Sequence, residues 1–404
     1  MKTQIIYVGL FRFPTGDAAA VNVYSIGKAL RDSGYEVIFA PGNSANRPQD
    51  RIDDASYTYG GFQYYPQSEF RTVPLAPLRR LIRYLAVGTN TLRWLRSRDN
   101  SKVRAIIFYG ESGPYYTRLQ AFCKKMQIAL IPHSVEWFDP GHCVGGRYGP
   151  IRWDVSLMMR YFSPRSDRII CISSFLEGYF RNYGCRVLRL PPLIDLDLAR
   201  AVPSEERDPS GPLRILFLGS PHRERWDIIL AGLIEAKKNG TNVCLEMLGT
   251  DHEKWLNLIG RNRNLAESLG GAIRFHGYVM APEAVAAKVA QCDAGIIVRE
   301  DARWSRACFP TKVPEFLAQG VPIICNLTSD LGDYLKDGVN AFIMERASIG
   351  EVAKCLARFA SLTGGERARV RAASRQSAVA FHYKTHISEI ASFFSETSQM
   401  RPES

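Results

Sequence analysis

Several absences narrow the reading before any motif is considered. No apolar run in the chain approaches the roughly 20 residues that a bilayer-crossing helix needs, so no spanning segment is expected. The nine cysteines (123, 143, 171, 185, 244, 292, 308, 325 and 355) are odd in number, scattered and never arranged as CxxC. Neither a disulfide framework nor a zinc site is therefore indicated, and a reducing cytoplasm is the expected setting. The opening MKTQIIYVGLF has one lysine and a short apolar run, without a long signal-peptide core or a small-residue cleavage site. It is expected to form a first buried strand. A serine nucleophile elbow, a GxxxxGK phosphate loop and an HExxH zinc motif are all missing, which leaves hydrolase and kinase readings without support. RNA-recognition, zinc-finger and helix-turn-helix signatures are missing too, and no nucleic-acid partner is expected.

What is present is a globular composition, with 46% apolar and 23% charged residues in a chain of 404. That length implies two or perhaps three domains. The net charge of +12 calls for an anionic partner, whether nucleic acid, anionic lipid or a phosphate-bearing substrate.

The first half opens with an apolar run, Ile5 to Val8, then a loop containing Gly16. A helical pattern follows with Val23, Ile26 and Leu30 on one face, closed by Gly34, and a strand from Glu36 to Ala40. The same grammar restarts at Ile215 to Leu218 with Gly219, a helix from Asp227 to Lys238, a stop at Gly240 and a strand from Val243 to Leu248. Further strands are expected near 105–108, 128–131 and 168–172 in the first half, and near 273–276, 295–298 and 321–325 in the second. Ser174 and Glu177 have the spacing of a capping box. Alternating strands and helices give an α/β class with parallel sheets. The stretch LPPLIDLDLARAVPSEERDPSGP, 190–212, is rich in proline and charge and reads as a linker. Two such domains would bind ligands beyond the carboxyl ends of their strands and face each other across a cleft.

The segment CFPTKVPEFLAQGVPIICN, 308–326, carries the most chemistry. Pro314 suits a first helical turn, which puts the amides around Thr311, Lys312 and Val313 at the positive helix end, with the charge of Lys312 added. That arrangement suits a diphosphate, and Glu315 one turn on can accept from a ribose diol. Taken alone, the segment reads more readily as a helix start that binds nothing.

Pro-Thr-Lys followed by Pro-Glu-Phe-Leu-Ala-Gln-Gly-Val-Pro resembles the donor-binding segment of the retaining family 4 glycosyltransferases, Pro-x-Lys-x-x-Glu-(Tyr/Phe)-x-Ala-x-Gly-x-Pro. Other segments resemble that family in the right order: Gly16-Asp17 its glycine loop, Gly34-Tyr35-Glu36-Val37 its Gly-His-Glu-Val, Asp167 to Ser173 its Ala-Asp-x-Val-Ile-x-x-Ser strand, and Leu190 to Asp195 its Pro-Asn-Gly-Val-Asp linker. The resemblance spans nearly the whole chain and implies the GT-B fold, two Rossmann-like domains facing across a cleft. It implies an acceptor domain over 1–196, joined by 380–404 as the last helix crosses back, and a donor domain over 197–379.

The resemblance also assigns roles. Gly16, Asp17 and Gly219 would let the donor phosphates approach; Arg225, with Arg223 beside it, would supply a basic group where the family has lysine then glycine. Tyr278 and Val279 would lie at the nucleobase, an assignment that stands beside an ordinary strand exit. Thr311, Lys312, Val313 and Glu315 would hold diphosphate and ribose. His133, at the end of IALIPHS, would face the transferred sugar or else be a satisfied structural histidine, and Glu136 and Trp137 would line the acceptor side. Catalytic weight falls on His133, Arg225 and Lys312. The family's first glutamate, eight positions before Glu315, is Ala307 here. Retaining transfer can proceed without a nucleophile if the departing diphosphate helps deprotonate the acceptor, so the departure weakens the assignment without removing it. Asp195-Leu196-Asp197 lacks companion ligands; no metal and no cofactor beyond the donor substrate are expected.

The expected reaction is transfer from a nucleoside diphosphate sugar, UDP-linked in preference, to a saccharide or polyprenyl-linked saccharide in surface polysaccharide synthesis. A GT-B nucleotide-sugar epimerase and a non-catalytic donor-binding subunit are the alternatives. Residues 71–104 set seven Arg or Lys residues, Arg79 to Lys102, among Leu78, Leu81, Ile82, Leu85, Leu92, Trp94 and Leu95. Such a basic amphipathic stretch either lies on an anionic membrane surface, as a peripheral protein on the inner face of the cell membrane, or packs its apolar face on the first domain.

Overall fold

The computed structural model describes residues 3–16, 18–44, 56–69, 77–139, 141, 146–198, 211–279 and 281–395. Asp17 and residues 71–76 lie outside them. The chain forms two compact units, 1–193 with 383–404, and 194–382.

The first unit is built on an eight-stranded sheet in the order β3-β4-β2-β1-β5-β6-β7-β8. The strands are β1 (Gln4–Phe13), β2 (Glu36–Ser44), β3 (Tyr57–Tyr59), β4 (Phe62–Tyr64), β5 (Val103–Tyr109), β6 (Ala129–Ser134), β7 (Arg168–Cys171) and β8 (Arg186–Arg189). All pairings are parallel except β3 with β4. The expected helix after β1 is α1 (Ala18–Asp32), and Val23, Ile26 and Leu30 are buried as its periodicity requires. β1 runs five residues beyond Val8, with a register shift between Gly9 and Arg12. Gly9 allows it, because a Cβ there would fall 2.1 Å from the Tyr109 carbonyl oxygen.

One sheet face carries α1 and the C-terminal helix Ile387–Ser395. Ile390, Phe393 and Phe394 of that helix join Val23, Ile26 and Leu30 in a single core. The Ser33 hydroxyl donates to the Ile387 carbonyl at 3.3 Å, and Arg104 to that of Ser395 at 2.9 Å. The opposite face carries α3 (Thr89–Ser97), α4 (Gly113–Met126) and the segment containing Met158.

The basic stretch is not one amphipathic helix. It forms α2 (Pro77–Leu85) and α3, parted at Gly88, whose φ of 90° and 2.4 Å clearance from the Tyr115 ring exclude a side chain. Leu95 is fully buried, and Trp94 packs against Tyr65 at 5.0 Å. The apolar side of α3 therefore serves the core. The expected capping box also differs: Ser173 caps α6 (Ser174–Arg181), accepting from the Leu176 amide at 3.3 Å. Glu177 instead pairs with Arg181 at 2.7 Å and Arg189 at 3.2 Å.

The second unit has a six-stranded, all-parallel sheet ordered β11-β10-β9-β12-β13-β14. Its strands are β9 (Leu213–Leu218), β10 (Val243–Leu248), β11 (Ile273–Phe275), β12 (Ala294–Ile297), β13 (Ile323–Asn326) and β14 (Ala341–Met344). Counted within the unit this is the doubly wound order, whose direction of winding reverses between β9 and β12, and ligands bind at such a reversal beyond the carboxyl ends. The helix after β9 is α7 (Trp226–Lys238), seated through Trp226, Ile229 and Leu233. The expected linker begins later than its composition suggests. Leu190 and Leu193 are core residues of the first unit, and the Leu193 amide donates to Asn22 Oδ1 at 2.9 Å.

Candidate donor site

Beyond β9 and β12, where winding reverses, the second unit gathers charge that its core does not need. The loop after β9 crosses to the end of β12: the Arg225 amide donates to the Val298 carbonyl at 2.8 Å, and the Val298 amide to Glu224 Oε2 at 3.0 Å. The Glu224 side chain is completely shielded from solvent. Its Oε1 takes Lys312 Nζ at 3.3 Å and Arg299 Nε at 3.3 Å. Asn326, at the end of β13, fixes Arg299 by accepting from its amide at 3.0 Å and donating to its carbonyl at 2.8 Å. Lys312 begins the helix Lys312–Ala318 and sits 4.0 Å above the Phe217 ring.

This buried group sets two cations on one shared carboxylate, and Glu315 beside Lys312 is only partly ionised near neutrality, which leaves an excess of positive charge. A low-dielectric site tolerates such an excess poorly unless an anion completes it. Burial drives the Lys312 ammonium down to about 8, against the opposing pull of Glu224. Burial also raises Glu315 to about 7, and Lys312 only partly offsets this. Glu315 has no hydrogen-bond or ion-pair partner among the described residues. Nearby, Gly219 has a φ of 91° and open space where a Cβ would point, which leaves its backbone approachable.

Two sequence expectations change here. The Arg225 guanidinium grips Asp227 bidentately, at 2.9 and 2.6 Å, and is not part of the Lys312 group. The second cation of that group is Arg299, which sequence reasoning missed along with Glu224. The signals were a basic residue just past the strand AGII and an acid between two arginines. The Val313 amide is already used, donating to the Pro310 carbonyl at 3.0 Å, and its side chain is fully buried. Thr311 precedes the helix without a side-chain capping bond. Arg223 lies 5.9 Å over the Trp304 ring, and Ala307 is buried. Tyr278 is exposed beneath Lys254 at 5.1 Å, and Val279 is half-buried beside it.

In the first unit, His133 ends β6 and is buried. Its Nδ1 lies 2.6 Å from the Tyr7 hydroxyl. Burial raises Tyr7 well above its ordinary value, so the phenol keeps its proton and donates it. Burial also drives His133 down to about 3, which makes the ring neutral. A neutral ring accepting at Nδ1 carries its proton on Nε2, and Nε2 has no partner among the described residues. Gly16 has a φ of 125°. Trp137 packs edge-on against Tyr179 at 4.7 Å and is buried, so its indole serves the core more than a surface. Glu136 is half-buried and adds to the field that raises Glu111. Sequence reasoning also missed Glu111: it accepts from Ser134 at 2.9 Å, and burial raises it to about 8. Among the described residues no group of His, Cys, Asp or Glu side chains could hold a metal ion.

Two doubly wound sheets, parallel but for the β3–β4 edge, are the architecture of the GT-B class of glycosyltransferases. Residues 19–198 match the family model "Glycosyltransferase Family 4" and residues 212–361 match "Glycosyl transferases group 1". The chain is thus a glycosyltransferase that joins a family 4 domain to a group 1 domain. Solved structures agree in fold. The chain is 12% identical to sucrose-phosphate synthase from Thermosynechococcus elongatus, over 98% of this chain and 99% of that one, with a TM-score of 0.68. It is 14% identical to HepE of Anabaena in complex with UDP, over 98% and 100%, at 0.64. Trehalose 6-phosphate synthase from Burkholderia multivorans is 13% identical over 98% of each chain, at 0.67. No curated protein sequence matches the chain.

Proposed function

We propose that this glycosyltransferase uses a UDP-sugar and transfers its sugar, with retention, to a hydroxyl of a saccharide or lipid-linked saccharide in surface polysaccharide assembly. The observation that carries the donor half is the buried pair of cations, Lys312 and Arg299, sharing the single carboxylate of Glu224. A diphosphate supplies the missing negative charge, and Glu315, half-buried and without a hydrogen-bond partner among the described residues, is suited to accept from a ribose diol. The preference for uridine draws on HepE, whose structure holds UDP. His133 contributes its Nε2 proton as a hydrogen bond to the transferred sugar. The departing diphosphate, neutralised by Lys312 and Arg299, leaves with its developing charge stabilised and helps accept the acceptor proton. No protein nucleophile is required, which accommodates Ala307. We place the protein peripherally on the inner face of the cell membrane, where lipid-linked acceptors are found.

The test is thermal stabilisation by UDP, GDP and their sugars, on the native chain and on Lys312→Ala and Glu315→Ala. Stabilisation by the uridine series, lost in both variants, is expected. Stabilisation by neither series would remove the donor reading. Donor binding with no free UDP released in the presence of any acceptor would favour a binding subunit, and conversion of the donor alone an epimerase.

A further inference from the structure

The first unit carries a surface that is apolar and cationic together, and none of the donor chemistry uses it. In α5 (Pro150–Leu157) and the turns after it, Trp153, Leu157 and Tyr161 recur at helical spacing. This stripe faces solvent, with Trp153 66% exposed, while Val155, Met158 and Met159 supply the buried side of the same segment. The core is therefore complete without the stripe. Beside it, α2 presents Ile82 and Leu85, 59% and 51% exposed. The two elements are neighbours, because the Tyr84 hydroxyl of α2 donates to the Asp154 carboxylate of α5.

The sequence around this face is one-sided in charge. Residues 77–96 and 146–166 contain nine arginines and one acid, Asp154. That acid is occupied by Tyr84 and by the Gly113 amide at 3.0 Å. Guanidinium groups stack on the exposed rings themselves, Arg165 3.8 Å over Tyr161 and Arg152 5.2 Å over Trp153. A groove of about 570 Å³ opens alongside, lined by Leu85, Leu92, Pro114 and Ala121 with Arg96 and Arg118.

We propose that the α2–α5 face of the first unit docks on an anionic lipid bilayer. Trp153, Leu157, Ile82 and Leu85 enter the boundary between headgroups and acyl chains, and the arginines contact headgroup phosphates. Exposed leucine and isoleucine have no π face on which a base could stack, which sets this surface apart from a single-strand platform. The excess of arginine opposes pairing with a second copy of the same face. Aromatic and aliphatic side chains rimmed by cations are what an interfacial segment needs. The proposal rests on the peripheral-membrane part of the functional reading and is independent of the transfer reaction.

The test is co-sedimentation of the full chain with vesicles of phosphatidylcholine alone and of phosphatidylcholine with phosphatidylglycerol. Binding to the anionic vesicles is expected, weaker at high salt and much weaker on the neutral ones. The pairs Trp153→Ser with Leu157→Ser, and Arg160→Glu with Arg165→Glu, are each expected to lower that affinity by roughly tenfold or more. A control pair on the second unit, Lys238→Glu with Arg261→Glu, both exposed, should leave it unchanged. No binding to anionic vesicles, equal binding by the patch variants, equal binding to neutral vesicles, or binding of an RNA oligomer in place of vesicles would each overturn the proposal. Stabilisation by UDP, measured on the same samples, separates the two readings. Vesicle binding lost with UDP stabilisation intact removes only the docking surface, and the converse removes only the donor site.

Discussion

Lys312 sets the pH response of the donor site. Its ammonium is held down to about 8, so the free lysine is mostly charged at neutral pH, half charged near pH 8 and progressively neutral above it. A diphosphate binds the charged form, which makes the sign definite. UDP affinity should fall by up to about tenfold per unit above pH 8, after Glu315, raised to about 7, has ionised, while Lys312→Arg, permanently protonated, should flatten that limb. Calorimetric titration from pH 8 to 9.5 checks this, and a native affinity unchanged across that range would contradict it. Glu224→Gln would leave Lys312 and Arg299 buried without the carboxylate that they share. Urea unfolding should show a loss of about 3–5 kcal/mol, and UDP should restore more stability to the variant than to the native protein. Undiminished stability would mean that water already serves the two cations. His133, held down to about 3, is neutral in the fold where the unfolded chain would be charged. Unfolding therefore takes up a proton, and this residue's contribution to stability is lost as pH falls from about 6.5 toward 3. His133→Gln should lessen the slope of stability against pH in that window.

At the scale of elements, legibility followed pattern length. The run Pro310 to Pro322 revealed a helix and Lys312 because proline, charge and glycine fall in one stretch. Arg299 and Glu224 stayed hidden because they are 75 residues apart and meet only when β9 and β12 pair. The strand β14 and the hairpin β3–β4 are too short for periodicity to register. The basic stretch was misjudged for a different reason. Its spacing shows that α3 has an apolar side but not which surface that side meets, and Trp94 meets the protein. Exposed Trp153, by contrast, sits in a segment whose composition resembles any core helix. The break at Gly88 is testable. Gly88→Ala meets both an unfavourable φ and the Tyr115 ring, and thermal melting should show a loss of at least about 1 kcal/mol. Ser173→Ala, which removes the cap of α6, should cost about 1 kcal/mol.

At the scale of the molecule, each unit has its own sheet and core, so calorimetry should resolve two transitions. UDP should raise only the one belonging to 194–382. Truncation after His386 removes Ile390, Phe393 and Phe394 from the first unit's core and should lower only the other. A single transition moved by both treatments would show that the units melt together. The second unit is also an insertion: the first resumes at Tyr383, and the two crossings run side by side, with the Ile194 amide donating to the Phe381 carbonyl at 2.9 Å. During synthesis the chain leaves the ribosome from its amino end. The later half can therefore close its sheet while the earlier half still waits for its final helix, so the order in which the two cores are finished is the reverse of the order in which they are begun.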